Sequence, residues 1–381
     1  MSIITEFRLY RFQFRRTRVI GDSQVRADEA NVIALELVDA AGRVGLGFTQ
    51  VLFQSTPDEP QIARIFAEES WPALEGVAPG TIAVQVSRPR GGLNRRMTLP
   101  FEEAIQMAVW DLLAKSLSLP LWKLLGAQRE SVPLYASGLD FHLSDQDFIE
   151  LFGRAAELGY RGFKIKVGHP DLDRDLHRLE LLHRAVGHDR PVMIDANEAW
   201  TAQEAIFALK TFAAAGYSIY WLEDPVPRDD LDGLRLLRQS GLTRINSGEY
   251  LNLSGKKRLI DAGACDVLNV NGHVSDVMRA GWLASEANVE VALGNTMLES
   301  GINTALALPG VRWLEHSFQN FEHLVERPYV IRDGLIYGHD APGHGLALSS
   351  EAKTVHRRPQ MLGADALGPA PVRSSDRLCL V

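Results

Sequence analysis

Cysteine is almost missing from this chain: Cys265 and Cys379 are the two thiols among 381 residues. Lying far apart, they can build neither a disulfide framework nor a zinc site by themselves, and such sparing use fits a reducing, cytoplasmic setting. Runs of lysine and arginine dense enough to follow a nucleic-acid backbone or an anionic membrane are also lacking. Arg15, Arg16 and Arg18 come nearest, and the net charge is −8, so no nucleic acid is expected as a partner. No apolar run approaches the length of a spanning helix, and the opening MSIITEFRLYRFQF has no sustained apolar stretch, so neither membrane insertion nor secretion is expected. A Gly-rich dinucleotide fingerprint, an internal repeat and a low-complexity block are absent too.

What remains is the balance of a globular protein with large cores: 46% hydrophobic and 23% charged residues. The length exceeds one average domain and suits an α/β barrel with a smaller attached domain. Residues 32–38 (VIALELV) read as a strand, the turn carrying Gly42 and Gly45 follows, and GFTQVLF resumes the extended pattern, which predicts a β-meander. Ala104, Ile105, Ala108, Val109, Leu112 and Leu113 then form a broad helical stripe after Thr98 and Pro100 as start signals; core packing explains it.

From Ser131 onward short apolar runs alternate with amphipathic helical stretches. The runs are VPLYAS (132–137), FKIKV (163–167), PVMIDAN (191–197), YWLEDP (220–225), INSGE (245–249), VLNVN (267–271), EVALGN (290–295) and RWLEH (312–316). Eight βα units favour a closed barrel over an open sheet. Between two of them Leu172, Leu176, Leu179, Leu182 and Val186 recur at helical spacing, the inner side of a barrel helix. The tail after about residue 328 is turn-rich and ends in a Pro/Gly/Arg-rich stretch.

Barrel enzymes work at the C-terminal ends of their strands, so polar residues that end an apolar run are the ones to read. Asp195, Glu223 and Glu249 close three successive runs. Singly, each acid is as readily a helix cap or the partner of a lysine. Three in register repel one another unless a cation neutralises them, and an all-oxygen set favours Mg²⁺, with Mn²⁺ as the alternative. Lys164 and Lys166 share one face of their strand, with Ile165 on the other. On an edge strand that is an ordinary solvated face; beside a metal, two amines are expected to lower each other's pKa and make Lys166 a base, with Lys164 as its electrostatic tuner and the partner of the substrate carboxylate.

With these residues in hand the chain resembles the enolase superfamily, in particular its mandelate racemase and muconate lactonizing enzyme branches. The likeness spans nearly the whole chain and rests on the Lys-x-Lys of KIKVG, DAN at 195–197, LEDP at 222–225 and GE at 248–249, in family order. It implies an α/β fold, a modified (β/α)7β TIM-type barrel at residues 129–327. An α+β capping domain would be built from residues 1–128 and completed by residues 328–381. It also implies Asp195, Glu223 and Glu249 as Mg²⁺ ligands, Lys166 as base, Asn197 as support of the metal site, and Glu315 of RWLEH as hydrogen-bond or proton donor to a substrate carboxylate. A homo-oligomer is expected. NTMLESGI (295–302) is instead similar to the muconate lactonizing and succinylbenzoate synthase branch, so the pattern is mixed.

The departure lies opposite the lysines. Where the family branches carry a second lysine, or an Asp with a His, this chain places Asn271 and Gly294 or Asn295, none of which is a base at neutral pH. His273 is close in sequence, but a packing role suits a loop histidine better. With one base the expected chemistry is α-proton abstraction from a small carboxylate through an enediolate, then syn loss of water from an acid sugar. A racemase, epimerase or cycloisomerase of the same superfamily is the alternative. A Schiff-base lyase and a non-catalytic metal-site binding protein are the other two readings. Specificity is expected from segments 15–28 and 49–56, with Arg15, Arg16, Arg18 and Arg26 suiting a polar substrate, and Phe48, Leu52 and Phe53 an apolar one.

Overall fold

In the computed structural model, which describes residues 2–51, 56–83, 101–127, 129–294, 301–318, 322–355, 360–361 and 379–380, the chain opens on an antiparallel meander. Its strands are β1 (Ile4–Gly21), β2 (Arg26–Asp39) and β3 (Val44–Val51). The turn between β2 and β3 closes because the Asp39 carboxylate accepts from the backbone N–H of Ala41 and of Arg43, leaving Gly42 at φ +76°. The central strand β2 is buried on both faces, which is why it reads as an unbroken apolar run. Ile33, Leu35 and Leu37 meet the cap's own helices, while Val32 and Ala34 pack into the larger core shared with the barrel.

Helices α1 (Glu59–Glu69), α2 (Pro79–Ala83), α3 (Phe101–Ser116) and α4 (Leu121–Leu124) complete this layer. The expected stripe of α3 is present, with Ala104, Ala108, Val109 and Leu112 buried; Thr98 and Pro100 lie outside the described residues. The helix backbone lies directly on β3: a Cβ at Gly47 would come within 1.9 Å of the Ala104 carbonyl oxygen. Gly47→Ala must therefore push strand and helix apart. It is expected to cost about 1–3 kcal/mol of stability, read as a lower midpoint in urea; an unchanged midpoint would show that the contact yields easily.

The barrel alternates strictly: β4 (Ser131–Ser137), α5 (Asp145–Glu157), β5 (Gly162–Lys166), α6 (Leu172–Val186), β6 (Val192–Asp195), α7 (Ala202–Ala214), β7 (Trp221–Glu223) and α8 (Leu231–Ser240). Then follow β8 (Arg244–Ser247), α9 (Leu253–Asp261), β9 (Val267–Val270), α10 (Val274–Glu286), β10 (Glu290–Leu293), α11 (Gly301–Ala307) and β11 (Val311–His316). All neighbours are parallel, and β11 pairs back onto β4 with Leu314 opposite Leu134, closing eight strands with seven helices between them. The fold expected from the sequence, a (β/α)7β barrel, is the one present. Outward residues such as Ile165, Ile194, Leu222, Ile245, Leu268 and Leu314 pack under the helices. Inward residues Tyr135, Met193, Trp221, Val267 and Ala292, with Trp313, fill the barrel's floor.

The tail returns to both units. A hairpin of β12 (Ile331–Arg332) and β13 (Leu335–Tyr337) pairs antiparallel with the start of β4. After α12 (Ser350–Val355), β14 (Gln360–Met361) runs parallel to β1 and pairs with β15 (Cys379–Leu380). Buried Asp111 of α3 ties these parts together, accepting from the backbone N–H of Leu46 at 3.0 Å and of His344 at 2.9 Å. Among the described residues no helix is long and apolar enough to cross a membrane.

Candidate active site

Two residues of strand return a side chain to the same face, so Lys164 and Lys166 both enter the barrel while Ile165 joins the outer core. Register then sets the heights. Lys166 lies level with Asp195, Asp195 with Glu223, and Glu223 with Asn246, one residue from each of four neighbouring strands. The Lys166 ammonium donates to Asp195 Oδ2 at 2.6 Å and to Asn197 Oδ1 at 2.7 Å. That of Lys164 lies 2.5 Å from Glu223 Oε1, 3.0 Å from Glu315 Oε1 and 3.3 Å from Asp195 Oδ2. Glu223 also accepts from Asn246 Nδ2 at 2.9 Å and Asn269 Nδ2 at 3.0 Å. All of these residues are at most 7% exposed.

Glu249 stands apart from this knot. It follows Gly248, whose φ of +117° turns the chain at the end of β8, and it is half-buried above the others. Among the described residues it shares no hydrogen bond with Asp195 or Glu223, and no three His, Cys, Asp or Glu side chains stand close enough to hold an ion as placed. The Lys164 ammonium sits between Asp195 and Glu223 instead.

Asp195, Glu223, Glu249 and Glu315 outnumber the two ammonium groups, and the titration of Lys164, Lys166, Glu223 and Glu249 reflects that excess. Burial pushes Glu223 well above the usual carboxylate range, and Asp195 and Glu315 push further against the pull of Lys164. Burial and the charge of Asp195 raise Glu249 to about 7. For Asp195 and Glu315 burial is outweighed by the lysines, and both are held below the usual range. With the carboxylates paired to the amines, burial pulls Lys164 down but Glu223, Glu315 and Asp195 carry it well above its ordinary value; the mutual depression expected of the two amines is that of a site whose carboxylates hold a metal. Lys166 is raised as well, Asp195 outweighing both burial and Lys164.

The opposite wall holds no base among the described residues. Asn269 is the β9 residue that touches the carboxylates; Asn271, two residues on, shares its inward parity but is half-buried one layer higher. Gly294 also faces the site, where a Cβ would lie 3.1 Å from Glu315 Oε2. Asn295 and most of NTMLESGI lie outside the described residues. His273 occupies the N-cap position of α10, its Nδ1 buried without a hydrogen-bond partner among the described residues.

Over the strand ends sits the β1–β2 turn. Ser23 Oγ donates to the Ala196 carbonyl at 3.4 Å, and Gln24 Nε2 to that of Asn197. Arg15 and Arg26 are exposed, Arg18 lies 3.8 Å from Glu150, and Arg16 donates to the Glu29 carbonyl at 3.4 Å. Phe48 belongs to the main core, while Leu52 and Phe53 lie outside the described residues.

Two family models match the chain. One, described as mandelate racemase / muconate lactonizing enzyme, N-terminal domain, covers residues 21–126; the other, enolase C-terminal domain-like, covers residues 147–353. The chain belongs to the mandelate racemase / muconate lactonizing enzyme family of the enolase superfamily. It is an enzyme, as its dehydratase, cycloisomerase and epimerase relatives are. A 3,6-anhydro-alpha-L-galactonate cycloisomerase of Streptomyces coelicolor is 30% identical over 88% of this chain and 94% of its own. An L-talarate/galactarate dehydratase of Salmonella typhimurium is 31% identical over 88% and 85%; its structure with Mg and L-lyxarohydroxamate superposes with a TM-score of 0.80, covering 93% of this chain and 92% of that one. A Mesorhizobium loti structure, described as a candidate mandelate racemase, is 54% identical with a TM-score of 0.89 over 97% and 98%.

Reading only strand ends passed over Asn246 and Asn269, which share the carboxylate layer. The signal was available: each lies on the inward parity of its run, Asn269 two residues before Asn271.

Proposed function

We propose that this enzyme is a Mg²⁺-dependent dehydratase of acid sugars in which Lys166 removes the proton beside the substrate carboxylate. The observation that carries the reading is asymmetric: an amine joined to Asp195 and Asn197 on one side of the barrel mouth, and Asn269, Asn271 and Gly294 on the other. The donor set suits a hard dication, since the carboxylates exceed the local positive charge and burial leaves Glu223 and Glu249 short of compensation. Held by Asp195, Glu223 and Glu249, Mg²⁺ (or Mn²⁺) would supply that charge and the Lewis acidity that makes an α-proton removable, leaving the two amines beside each other without those counter-ions.

Lys164 would pair with the substrate carboxylate, and Glu315, 3.0 Å from it, would donate a hydrogen bond to that carboxylate in its protonated form, which an incoming negative charge favours. Lys166 Nζ takes the α-proton; the β C–O bond breaks as a proton is returned to the leaving hydroxyl, giving water and an enol that becomes a 2-keto-3-deoxy acid. Stereochemical inversion needs an acceptor on each face, and among the described residues the amide-and-glycine wall supplies none. A cycloisomerase that passes one proton on one face uses the same residues, and the Streptomyces relative makes it the second reading.

Galactarate, talarate, glucarate and their lactones, incubated with the enzyme and Mg²⁺ in D₂O, separate these readings. The expected products are a 2-keto-3-deoxy acid and solvent deuterium at C3. A new lactone or cyclised acid would favour the cycloisomerase, and epimerised substrate without water loss would overturn the one-base reading. Borohydride trapping of a carbonyl substrate on lysine would point to a Schiff-base lyase.

A further inference from the structure

One buried charge takes no part in the chemistry above. Lys256, on α9, is 4% exposed, and its ammonium donates to two backbone carbonyls, those of Gly248 and, at 2.9 Å, of Asn269. Those oxygens belong to the ends of β8 and β9, so one side chain staples two barrel strands at the mouth. Asp224 grips the same turn from the other side: its Oδ1 accepts from Gly248 N at 3.1 Å and from Ser247 Oγ at 2.6 Å. Gly248 is thus held at its N–H by a carboxylate and at its C=O by an ammonium, in a left-handed conformation that no strand would adopt unaided. The next residue is Glu249.

We infer that Lys256 is a positioning residue which, with Asp224, fixes the Gly248 turn and thereby presents the Glu249 carboxylate to the metal. The inference rests on the reading of Glu249 as a ligand. A solvated surface lysine could make no such claim, but burying an ammonium is costly: burial lowers the Lys256 pKa to about 8 even with Asp224 and Glu249 nearby. Two carbonyl acceptors satisfy part of that charge, and outer partners of metal ligands are worth about 10–100-fold in metal affinity.

The test is Mg²⁺ titration of the full-length enzyme by calorimetry, on the wild type, Lys256→Met, Gly248→Ala and Glu249→Gln, with thermal midpoints measured beside it. Lys256→Met is expected to raise the Mg²⁺ Kd about 10–100-fold while the metal-free protein stays folded. Gly248→Ala strains the same turn without touching the lysine and should weaken binding in the same direction. If Glu249→Gln binds Mg²⁺ as the wild type does, the ligand reading itself fails. If Glu249→Gln weakens binding and Lys256→Met does not, or only lowers the midpoint, Lys256 is a strand staple and the inference is overturned. Should Lys256→Met fail to fold, Gly248→Ala decides alone: wild-type affinity there overturns it.

Discussion

Lys166→Met is expected to lower kcat and kcat/KM together by about 10³–10⁴-fold and to abolish exchange of the substrate's α-hydrogen with D₂O. Methionine keeps most of the side chain's length and apolar stem but cannot take a proton, so the change isolates the chemical step. KM should move little, because the substrate carboxylate is assigned to Lys164 and Glu315, not to Lys166. Asp195 loses its 2.6 Å partner in this variant but keeps Lys164 at 3.3 Å, so the carboxylate is not left without a neighbouring cation and the barrel should remain folded. Proton NMR of the recovered substrate reads the outcome directly. Undiminished deuterium uptake by Lys166→Met would move the base elsewhere, and His273, whose Nδ1 has no hydrogen-bond partner among the described residues, would be the first residue to examine.

The barrel was legible because its physics repeats. Each of the eight apolar runs is a strand, and four of them, β5, β6, β7 and β11, end above the floor of Tyr135, Met193 and Trp221 in the charged side chains of Lys166, Asp195, Glu223 and Glu315. The level placement of Lys166, Asp195 and Glu223 follows from register, which parallel pairing makes uniform around the barrel. What could not be read was compensation. Two adjacent amines are plain in the string, whereas the carboxylates that pair with them, and raise both for as long as no metal claims those oxygens, come from other strands. Nor could the string reveal that Asp224 and Lys256, 32 positions apart, close on opposite sides of one glycine. The LEDP motif drew attention to its glutamate, while its aspartate shapes the turn of the following strand. Asn269 was passed over for a related reason: the last polar residue of a run is conspicuous, but the layer that meets the carboxylates lies one step deeper.

Glu223→Gln should separate two contributions that the wild type combines. The glutamine retains shape and an acceptor for Asn246 or Asn269, but the charge 2.5 Å from Lys164 is gone. Removing one partner of a buried ion pair ordinarily costs about 3–5 kcal/mol. Here the loss should be much smaller, because Glu223 is also repelled by Asp195, Glu315 and Glu249, and Lys164 keeps Glu315 at 3.0 Å. The metal-free variant is therefore expected to unfold within about 1 kcal/mol of the wild type, the scale of an ordinary exchanged hydrogen bond. With metal the two should diverge. A wild type held at 100 times its Mg²⁺ Kd gains about 2.7 kcal/mol by mass action, while Glu223→Gln should gain almost nothing at the same concentration and show no turnover. Urea titrations of both proteins with and without Mg²⁺ give all four values. A variant that loses several kcal/mol without metal would show that Glu223 is mainly the structural counter-ion of Lys164. One that keeps the full Mg²⁺-dependent gain would remove it from the ligand set.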